Sequence, residues 1–162
     1  MRGIKELDLA PLKKVTHIAE QYGIAIDTWR FSDLHSGCLW KSLDGWRIVV
    51  NSAHAPTRRT FSIAHELGHF FLHRTHTDIY FSCQYGSYSR IEREANQFAA
   101  NLLMPRRMMA GLRQRKMTVP EMAGLLKLSQ DTVNIRMGEL GWRVQSRKSG
   151  GASGRFAGMR LP

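Results

Sequence analysis

The sequence predicts an α+β fold in which a small antiparallel sheet packs on a helical core and the C-terminal region is helical. Three observations carry this. Two extended runs flank Asp44-Gly45, a dipeptide that favours a tight hairpin turn. Two long stretches, one around Ile63 to Phe71 and one over Arg90 to Met104, place apolar side chains at three-to-four spacing, the period of a helix. Beyond Pro105 two shorter runs repeat that period, each behind a capping residue.

Taken in order, Leu9, Leu12, Val15, Ile18, Ala19 and Tyr22 form a first helical stripe, with Asp8 as its cap and Gly23 in the left-handed position past its end. Ile24 to Ile26 then begin an extended segment. Cys38 to Leu43 and Trp46 to Asn51 are the arms of the hairpin. The next helix is apolar along Ile63, Ala64, Leu67, Phe70 and Phe71, and polar along Ser62, His65, His69 and His73, with Thr57 as a candidate cap. Gly68 is a poor helix former, by about 1 kcal/mol relative to Ala, so its presence suggests close packing against another backbone.

From Thr75 to Tyr88 the period is lost, and Gly, Ser and tyrosines gather as in a loop. Ile91, Ala95, Phe98, Leu102 and Leu103 make the stripe of the following helix, which Pro105 stops because it lacks an amide donor. Thr118-Val119-Pro120-Glu121 combines a cap, an early proline and an acidic first turn, ahead of Met122, Leu125 and Leu126. Ser129 caps a last helix carrying Val133, Ile135, Met137 and Leu140, which Gly141 ends. The pair, about residues 118–141, resembles a helix-turn-helix.

A chain of 162 residues with 43% hydrophobic content is one domain's worth of material. We assign residues 1–145 to that domain and read residues 146–162, rich in Gly, Ser and basic side chains, as a flexible basic tail. Nothing approaches the run of about 20 apolar residues that spans a bilayer, and the N-terminus has no signal pattern. A soluble cytoplasmic protein with no membrane partner is expected, with Cys38 and Cys83 reduced rather than paired.

The chemistry concentrates in His65-Glu66-Leu67-Gly68-His69. Residues i and i+4 leave one face of a helix, so both imidazoles reach a single ion. The carboxylate between them sits on the flank, placed to take a proton from a water that the ion activates. Glu66 is therefore the candidate general base. Catalytic zinc sites use three protein ligands, and the second helix offers Glu92 and Glu94. Glu92 shares a face with Asn96, Ala99 and Ala100, whereas Glu94 lies about 200° round the helix. Glu92 is the preferred ligand and Asn96 a hydrogen-bond partner behind the site, although Ser89 to Glu92 also has the spacing of a capping box.

The run Arg59 to His69, with the later Ala95-Asn96-Gln97-Phe98-Ala99-Ala100-Asn101-Leu102-Leu103-Met104-Pro105, resembles the ImmA/IrrE family of bacterial metallopeptidases. The resemblance spans roughly residues 8–142 and is strong over the two motif helices. It implies a zincin-like helical core, one Zn2+ held by His65, His69 and Glu92, Glu66 as the catalytic carboxylate, and Asn96 orienting a ligand. It also implies a zinc-dependent endopeptidase whose protein substrate is a helix-turn-helix repressor or antitoxin-like regulator encoded nearby.

Four residues of the loop, Tyr80, Tyr85, Tyr88 and His76, are candidates for contacting substrate or the oxyanion that forms during attack. The strand Trp46 to Val50 is a candidate sheet edge for pairing with an extended peptide. A formal charge of +11 and the helix-turn-helix shape raise an alternative, a non-proteolytic regulator or sensor that binds a repressor or DNA through its basic C-terminal helices. Direct DNA binding is not favoured, because Gln130, Asp131, Asn134, Arg136 and Glu139 are a mixed set and phosphate binding needs clustered cations.

Overall fold

The computed structural model describes residues 11–74, 79–80 and 89–142. Helix α1 (Pro11–Gln21) buries Val15 and Ala19, and Gly23 follows at a φ of +65°, in the left-handed conformation expected of it. The proposed cap Asp8 lies outside the described residues.

Strand β1 (Ala25–Trp29) comes next, then β2 (Gly37–Ser42) and β3 (Gly45–Asn51). The hairpin forms, but its turn falls one residue earlier than the Asp44-Gly45 dipeptide suggests: Ser42 pairs with Gly45 across Leu43-Asp44, and Gly45 begins β3 at a φ of +119°. The sheet is mixed rather than purely antiparallel, because β1 runs parallel to β3. The connection from β1 to β2 crosses the end of β3, and Asn51 ties it down. The wholly buried Asn51 amide donates to the carbonyls of Ser32 at 3.0 Å and His35 at 2.8 Å, while its oxygen accepts from Ala53 N at 3.0 Å. One side chain thus joins the crossover to the turn that leads into the next helix.

The four-stranded order is β1-β3-β2-β4, where β4 (Ile79–Tyr80) pairs antiparallel with Leu39 and Trp40. Two expectations change. Trp46 to Val50 is not an edge: β3 is flanked on both sides, so it has no open row of backbone groups for a peptide. The segment read as loop contributes β4 to the sheet; its residues 75–78 and 81–88 lie outside the described residues.

Helix α2 (Pro56–His73) starts with Ala55 as its N-cap and Pro56 in the first turn, so Thr57 lies inside the helix instead of capping it. It is the central element, buried continuously from Ser62 to Phe70. One side meets Leu39, Ile48 and Val50 of the sheet in the hydrophobic core. The side read as polar is buried as well, because α3 (Arg90–Leu103) lies across it. On α3 the buried face is Glu92, Ala95, Ala99, Ala100 and Leu103, while Ile91, assigned to the stripe, is exposed. Pro105 ends α3 as expected.

A helix that sequence reading left out follows, α4 (Arg106–Gln114), burying Met109 and Leu112. Then α5 (Val119–Leu126) begins with the Thr118 and Glu121 capping box, and Lys127 at a φ of +54° turns the chain into α6 (Gln130–Glu139), capped by Ser129. No helix among the described residues is long and apolar enough to cross a membrane. Residues 146–162, read as a tail, and Cys83 lie outside the described residues; Cys38 is a free thiol.

Candidate metal centre

Gly68 sets the distance between the two motif helices. A Cβ at this position would lie 3.0 Å from both the Cα and the carbonyl oxygen of Ala95, tighter than ordinary contact, so only glycine lets the backbones come this close. Glu92, one turn before Ala95, is thereby carried over the histidine pair. Its Oε2 lies 3.1 Å from His65 Nε2 and its Oε1 3.3 Å from His69 Nε2, and the two Nε2 atoms are 3.0 Å apart. His65, His69 and Glu92 are all buried, with one donor atom of each within 4.8 Å of the others.

The outer ring nitrogens are also engaged. His65 Nδ1 lies 2.9 Å from Asn96 Oδ1, and His69 Nδ1 lies 3.1 Å from His73 Nδ1. An amide oxygen only accepts, so His65 donates through Nδ1, and in the neutral ring its lone pair is on Nε2. With His69 in the same neutral tautomer, two lone pairs and a carboxylate would face one point, an arrangement that could hold a cation. Donor atoms about 2.0–2.1 Å from a tetrahedral zinc ion lie about 3.3 Å from one another. The observed separations of 3.0, 3.1 and 3.3 Å fit that spacing, and two imidazoles with a carboxylate are ordinary zinc ligands.

The charges agree with close coupling. Burial works to lower the pKa of His65, but the hydrogen bond to Glu92 and the charges of Glu66 and Glu92 raise it overall. His69 is lowered, first by burial and then by its histidine neighbours, against the pull of Glu92. Burial alone would raise Glu92, yet its contacts with His65 and His69 hold it well below the usual carboxylate range. Glu66 is wholly buried on the flank of the pair, beside the start of β2: a Cβ built on Gly37 would stand 3.6 Å from Glu66 Oε1. Burial, aided by Glu66, pushes the nearby Cys38 thiol up to about 11, which keeps it protonated and poor as a metal ligand.

The capping question on α3 resolves into two separate uses of two residues. Ser89 Oγ accepts from the backbone amide of Glu92 at 3.3 Å, while the Glu92 carboxylate faces the histidines. Glu94, set aside as a ligand, meets His73 Nε2 at 3.1 Å. Sequence reading missed His73; its signal was the third histidine at four-residue spacing. Tyr80 lies in β4, while Tyr85, Tyr88 and His76 lie outside the described residues.

On the helical pair, Gln130, Asp131 and Glu139 are exposed and Asn134 is half-buried, whereas Arg136 is buried. Arg136 donates to Met104 O at 3.0 Å, to Glu139 at 2.9 Å and to Asn101 Oδ1. The basic member of the proposed recognition set is thus turned inward as a clip between α6 and the end of α3.

The fold and the buried His-His-Glu group together define a protein of metallopeptidase type. Residues 19–137 match the family model of the M78 peptidases, described as the IrrE N-terminal-like domain, and the chain belongs to that family. No curated protein matches the chain.

Proposed function

We propose that the protein is a zinc-dependent endopeptidase in which His65, His69 and Glu92 hold the ion, Glu66 is the general base and Asn96 orients His65. The observation that carries this reading is the convergence of the three buried donors at 3.0–3.3 Å beside the Glu66 carboxylate. Bound zinc would supply Lewis acidity toward a peptide carbonyl and the attacking water. Glu66 accepts a proton at a carboxylate oxygen from that water and passes it to the leaving amine nitrogen. Asn96 Oδ1 keeps the His65 ring from rotating by accepting its Nδ1 proton.

The resemblance to the ImmA/IrrE peptidases favours a helix-turn-helix repressor or antitoxin-like regulator encoded nearby as the substrate. The test incubates zinc-loaded protein with such a regulator. We expect a single-site cut by the wild type. Glu66→Gln should retain one zinc per chain and lose cleavage by a factor of at least ~100, the scale of a general-base contribution. Equal cleavage by Glu66→Gln, or a wild type that binds no metal, overturns the reading.

A further inference from the structure

We propose that His73 is a positioning residue of the metal centre, holding the His69 ring in the orientation and tautomer that direct its Nε2 lone pair toward Glu92 and His65. The inference rests on the metal reading of those three residues.

His73 lies one turn beyond His69 on α2 and is buried, at 3% exposure. Its Nδ1 is 3.1 Å from His69 Nδ1, and its Nε2 is 3.1 Å from Glu94 Oε2. The other Glu94 oxygen accepts from Arg90 Nε at 2.7 Å. The two ring planes are tilted by 52°, so the contact is nitrogen to nitrogen and not a stack.

The direction of each hydrogen bond follows from the outer end. An ionised carboxylate only accepts, so His73 presents an N–H from Nε2 to Glu94. In the neutral ring Nδ1 then carries the lone pair and accepts. The His69 proton is therefore on Nδ1, and its Nε2 lone pair points at the metal site. Asn96 does the same for His65 in one step. Helix α3 thus supplies Glu92 to the centre itself and both outer supports, Asn96 directly and Glu94 through His73.

Outer partners of metal-bound histidines typically change metal affinity by about 10–100-fold when removed. Buried His73 should lie in that range. Arg90 is 84% exposed, and its pairing with Glu94 should matter little.

The experiment measures zinc affinity of the full chain by competition with a chelator, and the His69 tautomer by 15N NMR of the metal-free protein with neutral histidines. His73→Phe fills the space without an acceptor and should weaken zinc binding about 10–100-fold, with His69 populating both tautomers. His73→Gln, whose amide can accept from His69 and donate to Glu94, should recover most of the affinity and the Nδ1-protonated form. Wild-type affinity and an unchanged tautomer in His73→Phe would overturn the proposal. Should that variant not fold, Glu94→Ala decides it, since the Glu94 side chain is 37% exposed: a shifted tautomer supports the chain, and an unchanged one overturns it. A wild type that binds no zinc while the tautomer shift persists would reject the metal reading and keep the positioning role.

Discussion

Two polar clusters lie at opposite ends of α3, one around the buried Arg136 and one around the buried Glu92, and they are built differently. Around Arg136, donors meet acceptors: the guanidinium is matched by the Met104 carbonyl, the Asn101 amide oxygen and the Glu139 carboxylate. Around Glu92 the cluster is acceptor-rich: two imidazole nitrogens and a carboxylate converge on one point, where they share protons or could hold a cation. Burying a polar group is tolerated when its partners are present. The first cluster satisfies that rule within the chain and locks two helices. The second closes through protons shared between the histidines and Glu92, and the same three donors could hold a metal ion in their place. A buried polar cluster therefore reads as structural or functional by whether the protons that close it are fixed or exchangeable.

The broadest effect, on stability and zinc binding together, should come from breaking the approach of α2 to α3. Gly68→Ala places a Cβ 3.0 Å from two backbone atoms of Ala95, and backbone cannot swing aside as a flexible side chain can. Alanine gains about 1 kcal/mol of helix propensity, while overpacking typically costs about 1–3 kcal/mol. We expect a net loss of stability together with weaker zinc binding, because Glu92 moves off the histidines with α3. Urea denaturation and chelator competition check this. A variant stabilised by about 1 kcal/mol with unchanged zinc affinity would show that the helices have room, and the comparison would lose its geometric basis.

Arg136→Met tests the other cluster. The methionine stem occupies similar volume but leaves the carbonyl of the buried Met104 without its donor. A loss of about 1–3 kcal/mol is expected, with zinc affinity unaltered. The same variant bears on the C-terminal pair. The exposed side chains Gln130, Asp131 and Glu139 carry no cation, so Arg136→Met should leave any salt-sensitive DNA association unchanged. A drop in such association would place Arg136 at a nucleic-acid surface and contradict its inward role.

Much of this was legible in the sequence, for reasons that differ by residue. Helical period fixes which side chains share a face, so His65 with His69, and Glu92 with Asn96, are legible as pairs on their own helices, and Gly68 signals a close backbone by its low helix propensity. The hairpin and the caps at Thr118 and Ser129 follow from local turn and capping chemistry. Strand neighbours do not: alternation along β3 says which face is buried, never which strands lie beside it, so its interior place and the parallel β1 were not readable. Helix α4 escaped because it is short, three of its nine residues are arginine and only Met109 and Leu112 are buried. His73 was assigned to a polar face because periodicity gives direction, while the helix that covers that face comes from elsewhere in the chain. Glu94 escaped with it, as half of a contact that neither helix shows alone.

The smallest effect, and the finest test of the acceptor cluster, is the pH dependence of Glu92→Gln in metal-free protein. Glu92 is held below its ordinary value of 4.5, so the stability it contributes is full above that pH and is lost as pH falls toward its folded value. His65 is held above its ordinary 6.5, so its contribution is full below that pH and is lost as pH rises through its folded value. The stability difference between wild type and Glu92→Gln should therefore be widest between 4.5 and 6.5 and narrow on both sides. His69 adds to this difference in the same direction as His65, because Glu92 pulls it up against the burial that lowers it. The change is on the order of 1 kcal/mol, within reach of urea midpoints taken across pH with chelator present. Zinc should abolish the alkaline narrowing, because a metal ion takes the place of the proton between His65 and Glu92. A difference that stays flat from about pH 3 to about pH 8 would mean that Glu92 and His65 do not share charge at all. The acceptor cluster would then be no more than packing.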